Sequence, residues 1–204
     1  VTSQQAAETP ADLRSWRKAE RARLIGAREA LDAARRAADT AAIARDLDAL
    51  LAGDGPALVS VYWPIRAEPD LREWMRARCE RGGRVALPVA VALGQPMQFR
   101  EWRPGASMTR GLWQIPIPAE GPEVTPAVVI APLVGYDPAC FRLGYGGGFF
   151  DRTLAQLIGR GARPRVIGVG YASQALATIR PQPHDIPMDW IVTGTLPPRQ
   201  RAAE

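Results

Sequence analysis

Apolar residues recur along this chain in two rhythms: spaced repeats suited to amphipathic helices, and short solid runs suited to buried strands. Thr9-Pro10 reads as an N-cap and first helical residue, with Asp12 in the first turn, and predicts a helix over residues 10–31. At helical spacing Leu13, Trp16, Leu24, Ala27 and Leu31 share one stripe. Arg14, Arg17, Arg21 and Arg28 line a flank of that stripe, and Lys18 lies slightly further round. Most of these arginines are expected to snorkel on a solvated face, with one or two reaching an anion beside the core.

A second helix is predicted to start at Asp39-Thr40, bury Ile43, Leu47, Leu50 and Leu51, and stop at Gly53. "ALVSVYW" (57–63) reads as a strand ending against Pro64. Leu71, Trp74 and Met75 mark a third helix closed by Gly82-Gly83. "RVALPVAV" (84–91) is the next strand, where Pro88 suggests an edge or bulge, and "MQFREW" (97–102) alternates as a strand. Residues 103–126 are rich in Pro and Gly and read as one long loop. "AVVIAPLV" (127–134) and "RVIGVGY" (165–171) suit buried strands, with a helix through Leu154, Leu157 and Ile158 between them. A short helix over 173–179 and a last strand, "WIVTGT" (190–195), complete the order. Alternating strands and helices imply a single α/β domain over 1–204 with a mostly parallel sheet, loose before Thr9 and after Pro197.

Composition narrows the class. Apolar residues make up 47% of the 204, which suits a globular domain, and no apolar run approaches the ~18 residues of a membrane span. The first ten residues lack the pattern of a secretory signal. Cys79 and Cys140 are far apart and outside any C-x-x-C pattern, so each reads as a buried small apolar residue in a reducing cytoplasm. A net charge of +5, concentrated between Arg14 and Arg45, favours an anionic partner.

The stretch "FRLGYGGGFFDRTL" (141–154) is unlike anything else in the chain. Gly144, Gly146, Gly147 and Gly148 let backbone N–H groups turn toward a ligand at a helix start, which is an anion nest. No G-K-[ST] follows, and Phe149 stands where the dinucleotide fingerprint needs its last glycine. A tight bend without a ligand is the plain alternative. Asp151 adds information, because a carboxylate beside phosphate is repulsive unless a cation such as Mg²⁺ lies between them; it could also simply cap the following helix. Arg142 supplies a forked donor for phosphate.

"RLGYGGGFFDR" resembles the signature of the 5-formyltetrahydrofolate cyclo-ligase family, also called 5,10-methenyltetrahydrofolate synthetases, with Phe149 and Phe150 where the family usually has tyrosines. "LVSVYWPIRAEPDL", "MQFREW", "GLWQIPIP" and "PHDIPMDWIVT" are similar to further family segments, in the same order and over nearly the whole chain. The resemblance implies a three-layer α/β/α fold. It implies conversion of 5-formyltetrahydrofolate and ATP to 5,10-methenyltetrahydrofolate, ADP and phosphate, with Mg²⁺. ATP would meet Lys18, Arg142, Tyr145, Phe149, Phe150, Asp151 and the four glycines of the turn. Lys18, Arg142 and Asp151 would serve catalysis, and Asp151 with Asp189 would hold magnesium. The reduced folate would meet Tyr62, Glu68, Met97, Trp113 and Tyr145. Lys18 and Arg28 have the spacing of the family's basic pair in the first helix, but Arg21-Ala22 replaces the usual Leu-Arg between them, so Arg17 and Arg21 stand as alternatives to Lys18. His184, the only histidine, sits in a proline-bounded loop and reads as a loop residue.

Two other readings remain at this level. One is a sugar-phosphate isomerase on a similar sheet, which would need a positioned general base and no ATP. The other is a nucleic-acid module using the basic helix, against which no aromatic platform is interleaved with the arginines. The cyclo-ligase reading expects small-molecule partners only, no nucleic acid, no membrane and a monomer.

Overall fold

The computed structural model describes residues 9–202. Its first helix, α1 (Pro10–Glu29), is opened by a reciprocal cap in which Thr9 accepts from the Asp12 N–H and Asp12 accepts from the Thr9 N–H. The next, α2 (Ala33–Leu51), begins seven residues earlier than the pattern predicts, because Asp32 caps it by accepting from the Arg35 N–H at 2.8 Å. Asp39, expected as the cap, is instead buried within α2 and paired with Arg35.

The sheet is built from β1 (Leu58–Ser60), β2 (Arg84–Val89), β3 (Gln98–Trp102), β6 (Val128–Pro132), β9 (Arg165–Val169), β10 (Trp190–Val192) and β11 (Arg199–Gln200). Their order is β11-β10-β9-β6-β1-β2-β3. The five central strands run parallel, and β3 and β11 close the two edges antiparallel. Pro88 is therefore not on an edge strand; it lies in β2 beyond Ala86, the last residue matched by β1, so its missing N–H breaks no ladder on that side. The tail after Pro197 is not loose, since β11 pairs with β10 and the Arg201 N–H reaches the Asp189 carbonyl at 2.9 Å. The expectation of a loose N-terminus falls outside the described residues.

Alternation along the strands sorts the core into two layers. Val59, Val85, Val128, Ile130, Ile167 and Val192 pack with Ile43, Leu47 and Leu51 of α2 and with Trp74 and Met75 of α3 (Arg72–Glu80). Leu58, Ala86, Val129, Val166 and Ile191 pack with Leu154 and Leu157 of α4 (Phe149–Gly159). Leu24 and Ile25 of α1 form a third cluster with Val134, Leu143 and Ile179. Val134 follows β6, so α1 lies against the carboxyl end of the sheet and brings its arginines there.

Three local expectations change. Residues 103–126 hold a small hairpin, β4 (Met108–Arg110) with β5 (Pro116–Pro118), in place of an unbroken loop. A second ribbon, β7 (Gly135–Tyr136) with β8 (Arg142–Leu143), leads from β6 into the glycine turn. The helix expected over 173–179 is a single 3-10 turn, Ala172–Gln174, because Gln174 turns inward to donate to the Leu133 and Val134 carbonyls.

Candidate functional site

A cavity of about 560 Å³ opens beyond the carboxyl ends of β1, β2 and β6. This is where ligands bind in open α/β sheets. Tyr62, Glu68, Met97, Trp113, Arg142, Tyr145, Phe149, Phe150 and Asp151 all line it, as do Gly144, Gly147 and Gly148. The structure thus brings together residues that the sequence separates by up to ninety positions. Lys18 and Asp189 do not line it.

One wall is the glycine turn. Gly146 and Gly148 have φ of 98° and 63°, values that L side chains rarely adopt. Gly148 opens α4 with no side-chain cap, so the helix start presents bare N–H groups to the cavity. Arg142, 6% exposed, donates through Nη2 to Asp151 Oδ2 at 2.8 Å, while its Nε and Nη1 are buried without a hydrogen-bond partner. Burial lowers its pKa, opposed by Asp151 and Asp185. Two orphaned guanidinium N–H groups beside open helical N–H groups make a socket for a polyanion.

Asp151 is more than a helix residue: its Oδ1 accepts from the Ile186 N–H at 3.1 Å. That contact brings in the loop carrying Asp185, which pairs with Arg17 at 2.5 Å and accepts from the Gln182 N–H at 2.7 Å. The expected partnership of Asp151 with Asp189 is not formed. Asp189 accepts from the Val166 N–H at 2.7 Å and lies 4.0 Å from Arg201, so its carboxylate ties the starts of β9 and β10 together. Asp185, four residues earlier in the same segment, directly precedes Ile186, whose N–H meets Asp151.

Lys18 is exposed, whereas Arg21 lies over the glycine turn and donates through Nε to the Gly144 carbonyl at 2.7 Å. A Cβ on Gly146 would sit 3.3 Å from the Arg21 guanidinium carbon. Arg17, Arg21 and Arg28 all engage the protein, so the expected snorkelling face is a built surface at these three positions. The heptad spacing of Arg14, Arg21 and Arg28 was the signal available in the sequence, since it stacks them on one face.

The opposite wall is apolar with one acid. Glu68 is 5% exposed, follows β1, and accepts from the Ile65 N–H at 2.9 Å and the Tyr145 hydroxyl at 2.8 Å. Burial raises its pKa above the ordinary glutamate value, and those two hydrogen bonds and Arg28 oppose the rise. The Tyr62 hydroxyl donates to the Pro69 carbonyl at 2.8 Å and so braces the Glu68 loop. Met97 is fixed to α4 by its N–H to Thr153 Oγ1 at 2.8 Å. Trp113, 60% exposed, stands edge-on to Phe149 with ring centroids 5.2 Å apart. Trp113 and Gln114 both have positive φ, a costly turn at the hairpin tip.

His184 is 74% exposed and does not line the cavity. Burial raises the thiol pKa of both Cys79 and Cys140, which suits packing and not nucleophilic chemistry. No helix among the described residues is long and apolar enough to cross a membrane.

A profile of the 5-formyltetrahydrofolate cyclo-ligase family matches residues 13–194. A 5-formyltetrahydrofolate cyclo-ligase of Mycolicibacterium smegmatis is 34% identical over 145 residues, covering 66% of this chain and 72% of that protein. One of Escherichia coli K12 is 29% identical over 141 residues, covering 66% and 76%. The solved structure of the Aquifex aeolicus 5,10-methenyltetrahydrofolate synthetase superposes with a TM-score of 0.78 at 23% identity, covering 92% of this chain and 94% of that one. A 5,10-methenyltetrahydrofolate synthetase from Mycoplasma pneumoniae superposes at 0.72 and 21% identity, covering 87% and 98%.

Proposed function

The chain belongs to the 5-formyltetrahydrofolate cyclo-ligase family, a family of ligases, and from that premise we propose that it closes 5-formyltetrahydrofolate to 5,10-methenyltetrahydrofolate at the expense of ATP. One observation carries the reading. Within a single cavity, an arginine with two unpartnered buried N–H groups and an open glycine turn face a buried acid and apolar walls. The first half suits a triphosphate and the second a reduced pterin.

The formyl oxygen is a poor leaving group until it is phosphorylated. It attacks the γ-phosphorus of ATP and ADP departs; N10 then attacks the formyl carbon, and phosphate leaves with loss of the N10 proton. The product carries a positive amidinium, which a charged Glu68 in the same cavity favours. The protein's work is positioning and charge neutralisation. Arg142 and the glycine N–H groups hold phosphate, with Arg21 in the place first expected of Lys18. Glu68, Tyr62, Met97 and Trp113 form the folate side. No protein nucleophile is needed.

Mg²⁺ fits this end of the cavity without a dedicated cage. No cluster of three or more His, Cys, Asp or Glu occurs among the described residues. Mg²⁺ bound to nucleotide needs only one or two carboxylates, because phosphate oxygens and waters complete its octahedron. In this reading Asp151, with Asp185 next to the Ile186 that meets it, would hold the ion, and it would neutralise phosphate charge there. We take the working unit to be a monomer acting in the cytoplasm, to be checked by gel filtration and fractionation.

The test is direct. Protein mixed with 5-formyltetrahydrofolate, ATP and Mg²⁺ should produce the absorbance of methenyltetrahydrofolate and one ADP per turnover. Leaving out ATP, or chelating Mg²⁺, should abolish it. Absence of product with folded protein under the complete mixture rejects the proposal.

A further inference from the structure

Tyr145 belongs to the glycine turn, yet its side chain reaches across to the folate wall. Its hydroxyl donates to Glu68 Oε1 at 2.8 Å and accepts from Arg28 Nη2 at 2.6 Å. Arg28, 0% exposed, is itself fixed through Nε to the Arg66 carbonyl at 2.9 Å and through Nη1 to the Leu133 carbonyl at 3.1 Å. The other Glu68 oxygen is held by the Ile65 N–H at 2.9 Å. Each member of this triad is therefore anchored in a different part of the molecule: α1, the loop after β1, and the turn before α4.

The two loops it joins both carry backbone conformations that need support from outside the loop. Tyr145 is flanked by Gly144 and Gly146, so its ring is placed by these contacts and not by its own backbone. The Glu68 loop contains two consecutive residues of positive φ, Arg66 at 48° and Ala67 at 59°. Such strain persists only where surrounding contacts over-determine it, and the Arg28 bond to the Arg66 carbonyl is one of them. Burial and the charge of Glu68 hold the Tyr145 phenol well above its ordinary pKa, so it stays a donor through neutral pH.

We infer that Tyr145 is a latch between the two substrate subsites, so that nucleotide bound on the glycine turn tightens reduced folate at Glu68, and folate tightens nucleotide by the same factor. The inference rests on the function proposed above. Phosphate on the N–H groups of the turn would fix the backbone on both sides of Tyr145. Its hydroxyl would then hold the Glu68 carboxylate in one orientation, and folate would bind to an acid already ordered. Reciprocity follows because the coupling is a free energy shared by both ligands. Tyr145 and Arg28 act here as positioning residues for Glu68.

The experiment measures the dissociation constant of 5-formyltetrahydrofolate by calorimetry, with and without a non-hydrolysable ATP analogue and Mg²⁺. In the unaltered protein the analogue should tighten folate by about five-fold or more. In Tyr145→Phe the ratio should fall to about one, and in Glu68→Gln likewise. Adding Tyr145→Phe to Glu68→Gln should change the ratio no further, because the two share one interaction. A five-fold ratio preserved in Tyr145→Phe overturns the latch while leaving the proposed function intact, as does a ratio of one in the unaltered protein. Failure of the unaltered protein to bind folate under either condition overturns both readings at once.

Discussion

At the scale of single residues, the site depends on which charges are buried beside which. Glu68 has its pKa raised above 4.5 chiefly by burial. As pH falls through that raised value the carboxyl becomes neutral and loses acceptor capacity toward the pterin edge. The dissociation constant for reduced folate should therefore rise on going from neutral to mildly acidic pH, starting above the ordinary glutamate range. Glu68→Gln should weaken folate ten- to a hundred-fold at neutral pH, since a charged hydrogen bond contributes ~1.5–3 kcal/mol. Its pH dependence should be flat. Calorimetry across pH on both proteins checks this, and a parallel slope in the variant would remove Glu68 from folate recognition.

The acids and bases of the nucleotide side separate in the same way. Asp185→Asn should raise the Mg²⁺ concentration needed for half-maximal turnover, whereas Asp189→Asn should leave it unchanged. Asp189→Asn should instead lower stability by ~1 kcal/mol, the net contribution of a hydrogen bond such as the one from Val166. Titrating Mg²⁺ against rate, with urea unfolding alongside, distinguishes the two roles. Arg21→Ala should raise the KM for ATP about ten-fold, while Lys18→Ala changes it little, because Arg21 and not Lys18 covers the turn. Equal effects of the two would return Lys18 to the site.

At the scale of elements, the glycine turn works because its backbone takes conformations that only glycine takes readily. Gly146 has φ of 98° with the Arg21 guanidinium over the place a Cβ would occupy. Gly146→Val should cost ~1–3 kcal/mol of stability from backbone strain alone. It should also weaken the ATP analogue by at least about ten-fold, because the turn can no longer present its N–H groups and Arg21 is displaced. The check is melting temperature together with nucleotide calorimetry. Unchanged nucleotide affinity in a folded variant would place the phosphates elsewhere. The hairpin of β4 and β5 matters for a similar reason: its tip holds Trp113 and Gln114 at positive φ and carries an exposed aromatic over the cavity.

At the scale of the whole molecule, the two ends of the sheet differ. The cavity lies at the carboxyl ends of the strands, and β11 and Asp189 secure the far edge near the starts of β9 and β10. Removing residues after Pro197 should expose β10 as an unprotected edge and cost ~1–2 kcal/mol of ladder and tail hydrogen bonds. For a chain of this size each kcal/mol shifts the melting temperature by about 2–4 °C. Turnover below the lowered melting temperature should be retained. Loss of turnover in a folded truncation would tie the tail to the site.

Local patterns were enough for whatever depends on neighbours in the chain. The Thr9 cap, the stripe of α2, the apolar runs of β6 and β9 and the bare glycine turn are each specified within a few residues, so their periodicity and turn chemistry could be read directly. The motif order pointed to the family for the same reason. Local signals also misled where two of them competed. Asp39 looked like a helix cap because it precedes an apolar repeat, but Asp32 was the cap and Asp39 turned inward. The tail looked loose because nothing in "PPRQR" announces a strand; only the open edge of β10 makes it one. Long-range contacts were decided by folding alone. The contact of Asp151 with the Ile186 N–H, the placement of Arg21 over the glycine turn, and the meeting of Arg28, Glu68 and Tyr145 across 117 positions depend on how α1 and two loops pack against the carboxyl end of the sheet. Hydrogen bonds reach about 3 Å and depend on direction, and residue spacing along the chain carries neither once the chain turns back on itself.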